Sequence, residues 1–260
     1  MLATTESRAL DLSAPVEFPD GRLLLPTLTS GRSLLIGKPG GNFFPLVDTA
    51  EETHPPAVLL PDDQAAFIAG TGSDQTIAIA SAGEGRIIRR LSGSKGASVG
   101  SLAASPDGRT LYYTAEGTLW AIPADDGTPR KISAGDGVAV EPSGKGLIVN
   151  LVETTGVRLV RVPLAGGPEQ DVHVQSDIPI DPLPLGGTGL RTDGKLLIGV
   201  EPRDSWFFSA AVLDLASGKL TRLPVNFTGD ILMYAWTNDG RILAFGQPMR
   251  AHIWRFRPIH

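Results

Sequence analysis

One short turn signature recurs along this chain and limits what it can fold into. It is clearest in Ala104-Ser105-Pro106-Asp107-Gly108-Arg109, which runs into Leu111-Tyr112-Tyr113. Pro106 ends an incoming strand because it cannot donate to a ladder. Asp107-Gly108 is expected to supply the φ > 0 positions of a two-residue hairpin turn. Thr110 to Tyr113 offers β-branched and aromatic residues for the returning strand. The same signature stands at Pro19-Asp20-Gly21-Arg22, Pro61-Asp62-Asp63-Gln64, Pro142-Ser143-Gly144-Lys145, Thr192-Asp193-Gly194-Lys195 and Asn238-Asp239-Gly240-Arg241. The repeat recurs roughly every 44 residues, a spacing that suits units of four short strands.

The residues after each turn follow one grammar. An apolar second strand is predicted at residues 22–25, 65–69, 111–113, 147–150, 196–200 and 242–245. A third follows at 33–37, 76–80, 118–122, 158–162, 210–215 and 252–256, and a more polar outer strand at 87–91, 129–132, 169–174 and 219–223. No segment shows sustained helical periodicity with capping signals. The expected fold is an all-β, six-bladed β-propeller of four-stranded antiparallel blades, forming a single domain over residues 1–260. The ring is expected to close when residues 6–13 join the last blade as its outer strand, beside the strand around Trp254, since open sheet edges invite aggregation. A β-sandwich with incidental Asp-Gly turns is the competing architecture.

Composition narrows the function classes. Gly (31) and Pro (21) are spread along the chain, as many turns require. The net charge is −5 with no basic stripe, which disfavours nucleic acid as a partner. There is no cysteine, so disulfides, thiolate catalysis and Cys-based zinc sites are excluded. Residues 1–11 carry Glu6, Arg8 and Asp11 without an apolar stretch, so no signal peptide is expected there, and no apolar run reaches membrane-helix length.

The residues 104–109 and 111–113, followed by Leu119-Trp120-Ala121-Ile122-Pro123-Ala124-Asp125-Asp126-Gly127, resemble a TolB-type, WD-repeat-like propeller repeat. Asp204-Ser205-Trp206-Phe207-Phe208, Leu213-Asp214-Leu215-Ala216-Ser217-Gly218-Lys219, Trp236-Thr237-Asn238-Asp239-Gly240-Arg241 and Ile253-Trp254-Arg255-Phe256-Arg257-Pro258 resemble the C-terminal propellers of bacterial eukaryotic-type Ser/Thr protein kinases. Similar propellers also follow winged-helix DNA-binding domains. The resemblance implies a sensory or interaction module, accessory to a kinase or DNA-binding domain outside these residues. It also implies an extracytoplasmic location where a membrane kinase tethers the propeller, and a cytoplasmic one otherwise. The chain lacks the kinase Gly-rich loop with its strand Lys, His-Arg-Asp and Asp-Phe-Gly. The Gly-His and Trp-Asp pairs of WD repeats are missing too, as is the hydrolase domain of prolyl oligopeptidases.

Function on such a scaffold is expected in loops. The loops around residues 51–56, 174–189, 201–208, 227–236 and 246–251 are expected to rim a central funnel. Their candidate ligand-binding residues are His54, Arg203, Asp204, Trp206, Asp230, Tyr234 and Arg250. Trp206 with Arg203 and Arg250 could grip a peptide or an anion; alternatively Trp206, Phe207 and Phe208 pack between blades. Trp120, Trp236 and Trp254 are expected in the core, and of Tyr112 and Tyr113 one should be buried and the other exposed. Asp136, Asp177, Asp181 and Asp230 could surround a calcium ion, but without an Asp-x-Asp-x-Asp-Gly loop they read as solvated surface. Gly96-Ala97-Ser98-Val99-Gly100 has the letters of a nucleophile elbow without a following helix, and Gly37-Lys38-Pro39-Gly40-Gly41 lacks the helix that phosphate cradling needs. No catalytic residue, metal ligand or cofactor is assigned. The expected function is non-catalytic binding of a protein, peptide or small molecule at the funnel. A funnel-centred lactonase, lyase or glycosidase is the alternative, and a purely structural scaffold a third.

Overall fold

The turn signature does build hairpins, though not by the expected geometry. In the computed structural model, which describes residues 15–26, 34–38, 42–49, 51–224 and 229–248, Gly108 has φ of 69° while Asp107 stays at negative φ. Gly108 N donates to Ser105 O, and Arg109 N donates to the Asp107 carboxylate. This is a type I turn closed by a left-handed glycine, and the Asp side chain holds the next amide. The same bonding recurs at residues 18–22, 141–145, 191–195 and 237–241. Only the turn after Leu60 differs: there Asp62 and Asp63 both take positive φ.

The hairpins assemble into antiparallel sheets in strict chain order. The first blade comprises β1 (Val16–Glu17), β2 (Leu23–Pro26), β3 (Leu34–Gly37) and β4 (Phe43–Pro45). The second comprises β5 (Thr53–Leu60), β6 (Gln64–Ala69), β7 (Thr76–Ser81) and β8 (Arg86–Arg90). The third has β9 (Val99–Ala104), β10 (Thr110–Ala115), β11 (Thr118–Pro123) and β12 (Arg130–Ala134). The fourth has β13 (Gly137–Val140), β14 (Gly146–Glu153), β15 (Gly156–Pro163) and β16 (Gln170–Asp171). The fifth has three strands, β17 (Lys195–Val200), β18 (Ser209–Asp214) and β19 (Leu220–Arg222). A two-stranded ladder, β20 (Gly229–Trp236) with β21 (Ile242–Pro248), follows.

The expectation of six four-stranded blades in a closed ring is therefore corrected to five blades, and the described residues form no closed ring. One departure from the regular pattern has a physical cause. The inner position of the fifth blade is held by a segment rich in Pro and Gly, which bonds to β17 only through the bridges Ile180–Val200 and Leu190–Leu196. Among the described residues the last unit is the hairpin β20–β21, and its expected third strand at 252–256 lies outside them. Residues 6–13 and the strand around Trp254, on which closure was expected to depend, lie outside the described residues. The first blade and the last hairpin nonetheless touch: Asn238 donates from its backbone to Glu17 and from its side chain to Phe18 O.

Each sheet is apolar on both faces because each is covered by neighbours. Phe67 and Ala78 pack toward the first blade with Phe18 and Leu34, while Ile68 and Ile77 pack toward the third with Leu111 and Ile122. Tyr113 belongs to the second of these clusters, and Tyr112 packs instead with Val138 and Leu147 of the fourth blade. Alternation along β10 holds as expected, but both tyrosines are buried. In a stack of sheets the outer side of one is the inner side of the next. First strands of successive sheets lie side by side, β1 by β5, β5 by β9 and β9 by β13. Successive turns also meet: a Cβ on Gly108 would sit 2.3 Å from Pro61, and one on Gly144 would sit 3.5 Å from Pro106.

Candidate functional site

The irregular fifth unit carries most of the unusual chemistry. Residues 177–190 include Pro179, Pro182 and Pro184, which cannot donate, and Gly186, Gly187 and Gly189. No continuous strand forms there, and the chain crosses to the third and fourth blades. Leu185 N donates to Asn150 Oδ1 at 3.2 Å, and Ser101 Oγ donates to Leu185 O at 2.8 Å while accepting from Val138 N. Ser101 and Asn150 are almost fully buried, and this segment satisfies them. A Cβ on Gly187 would stand 2.3 Å from Leu102 O, so only glycine allows the approach. The segment returns through Gly189, whose carbonyl accepts from Trp236 Nε1 at 3.0 Å. Arg191 stacks on the same indole at 4.7 Å.

Asp181 anchors the start of this crossing. Its backbone N donates to Gly199 O, and its Oδ1 accepts from Leu183 N at 3.0 Å. The residue is 2% exposed, and Oδ2 makes no hydrogen bond of regular geometry. Oδ2 lies against Gly199, where any Cβ would collide with it and with the Tyr234 hydroxyl. Burial, joined by the charge of Glu201, pushes the Asp181 carboxyl up to about 6. Burial, with Asp181 beside it, pushes the Tyr234 phenol well above its usual value. A carboxyl of this kind can hold or release a proton near neutrality, but it has no open approach while the crossing segment is seated.

The following loop faces outward. Arg222 donates to Asp204 at 2.8 Å, Phe207 N donates to Ser205 Oγ, and Phe208 N donates to Asp230 Oδ1 at 2.9 Å. These bonds fix residues 204–208 at both ends and leave Trp206 99% exposed. Packing of Trp206 between blades is therefore not what the fold does with it, whereas Phe207 and Phe208 are half-buried. Arg203 is exposed beside it. Trp120 and Trp236 are partly buried within or against the core, and Trp254 lies outside the described residues.

The structure thus bonds the loop of Asp204 and Trp206 to Asp230 of β20 and places Tyr234, on the same strand, against Asp181; the loop expected at 227–236 is strand from Gly229 to Trp236. His54 stands apart on β5 of the second blade, its Nε2 3.4 Å from Glu52. Arg250 lies outside the described residues. Asp181, read from sequence as solvated, is the residue that reading missed. Its flanks, Ile178-Pro179-Ile180 and Pro182-Leu183-Pro184-Leu185, are apolar throughout, which was the available signal. Asp136 accepts from Val152 N and Asp230 from Phe208 N, and the two lie in different units of the fold. Among the described residues no group of three or more His, Asp or Glu is arranged to hold a metal. Elsewhere, a groove of about 420 Å³ between the second and third blades is lined by Pro61, Asp62, Arg89, Asp107 and Arg109, with mixed charge.

Blades stacked on paired inner strands define a TolB-like β-propeller fold, and comparison with solved structures agrees. A putative TolB from Agrobacterium tumefaciens superposes with a TM-score of 0.70 at 16% identity, covering 92% of this chain and 91% of that one. TolB from Acinetobacter baumannii matches with a TM-score of 0.61 at 16% identity over 84% of this chain, which spans 55% of that protein. A gluconolactonase from Xanthomonas campestris matches with a TM-score of 0.68 at 16% identity, over 93% of this chain and 85% of that one. No protein-family model matches the sequence, and no curated protein matches it either. At such identities the likeness concerns the fold, which is shared by binding proteins and enzymes alike.

Proposed function

We propose that this chain is a non-catalytic interaction propeller that engages a protein or peptide partner through the loop at residues 201–208. The observation that carries the reading is the full exposure of Trp206 on a loop braced by Arg222 and Asp230. An exposed indole gains free energy when a partner covers it, and Trp is enriched among residues that dominate binding energy. Bracing lowers the ordering entropy that binding would otherwise incur. The likeness of residues 204–208 and 253–258 to kinase-linked propellers supports an accessory role in a larger signalling protein, with a kinase or DNA-binding domain as the tethered partner.

The test places a photo-cross-linking amino acid at position 206, beside a control at exposed Val152, in cells of the source organism. One discrete adduct at 206 that disappears when Arg222→Ala unbraces the loop supports the reading. Equal labelling at both positions overturns it. Turnover of a lactone, glycoside or peptide panel by the purified chain would support the funnel-centred enzyme instead.

A further inference from the structure

We propose that residues 181–189 form a proton-operated strap across the inner ends of the third and fourth blades, seated while the buried Asp181 carboxyl is neutral and loosened when it ionises. The geometry separates a hinge from a landing site. The hinge is Asp181, pinned to Gly199 O by its own amide and packed against Gly199 and the Tyr234 hydroxyl. The landing site is Ser101 and Asn150, which take both polar groups of Leu185. Between them Asn150 Nδ2 reaches Leu183 O at 3.5 Å, and Leu183 N returns to Asp181 Oδ1. The crossing is thus held at its start by the Asp181 carboxyl and at its far end by Ser101 and Asn150.

Two groups face that carboxyl from other elements: Glu201, at the end of β17, and Tyr234, from β20. Leu183 N faces it from the strap itself. Among the described residues no cation acts on it. The Tyr234 hydroxyl serves either form, since it can accept from a neutral carboxyl or donate to an anion. Burial and the Glu201 charge penalise only the anion. Ionisation sends the proton to solvent and leaves Oδ2 charged beneath an apolar segment, and swinging the strap outward hydrates it. The carboxyl titrates near 6 when covered and near the ordinary 3.8 when free, which sets the direction: protons close the strap. Opening exposes two otherwise sealed polar groups, Ser101 on the inner strand of the third blade and Asn150 on the second strand of the fourth.

Hydrogen exchange of the Leu183–Gly189 peptide, corrected for intrinsic rate, tests this on the whole chain. Protection should fall about tenfold between about pH 5 and about pH 7.5, with peptides from β10 and β11 changing less. Asp181→Asn should remove the pH dependence. Glu201→Gln should move the upper bend of the profile to lower pH, because the anion is then less penalised. Constant protection in the wild-type chain, or an undiminished pH profile in Asp181→Asn, overturns the proposal. If Asp181→Asn does not fold, an unmoved bend in Glu201→Gln overturns it.

Discussion

The third and fifth blades start from the same Pro- or Asp-Gly turn and diverge at the inner edge. In the third, β9 pairs with β10 from Ala104 back to Val99, and its side chains disappear into two flanking clusters. In the fifth, β17 finds only the bridges to Ile180 and Leu190 along that edge. The difference lies in composition: Pro179 withholds the amide that would face Glu201, and Pro182, Pro184 and three glycines follow in a segment that leaves the sheet. A chain excluded from its own sheet took partners on others, Ser101 and Asn150, and buried an acid at the point of departure. Regular repetition here yields stability, and its local failure yields groups with unusual chemistry.

Four measurements put that contrast to the test. The largest effect belongs to the regular part: Leu111→Ala, fully buried between two blades, should cost about 3 kcal/mol in chemical denaturation. Next comes acid stability. Asp181 titrates higher in the folded chain than in the unfolded one, so its contribution is complete below about pH 4 and lost as pH rises through about 6. Wild type should lose about 2 kcal/mol relative to Asp181→Asn across that window, and parallel curves would remove the fifth blade's claim to distinct chemistry. Ser101→Ala strands Leu185 O and Val138 N together, and should cost about 1–2 kcal/mol while freeing residues 181–189 to proteases. Smallest is Trp206→Ala, whose stability should change by less than about 0.5 kcal/mol; a larger loss would mean the indole is a packing residue after all.

Much of this molecule was legible in its sequence because each repeat states its own hairpin. The second strands at 65–69, 111–113 and 196–200 lie within β6, β10 and β17. What periodicity could not convey was the environment beyond the strand. Tyr112 and Tyr113 alternate as expected, yet both are covered, since coverage depends on neighbouring sheets rather than on the strand. Counting turns gives six units, but a turn guarantees a hairpin and not the four strands of a blade, as the three-stranded fifth blade shows. At the candidate site, Tyr234, Asp204, Trp206 and Asp230 were identified by loop position. Their pairing was hidden, because Arg222 reaches Asp204 across strands of one blade and Asp181 meets Tyr234 between neighbouring units, contacts that only the tertiary fold sets. His54 fits the loop criterion equally well and still stands elsewhere, on β5.

The stepping of Pro61 onto Gly108, and of Pro106 onto Gly144, divides the molecule's turns into two engineering classes. Turns in that staircase cannot be lengthened without prising adjacent sheets apart. The connection at Gly166-Gly167 is free of such duty, for a side chain at either position would meet nothing within 4 Å. Grafted epitopes, inserted reporter domains or new termini from circular permutation should therefore be accepted there and refused at residue 108.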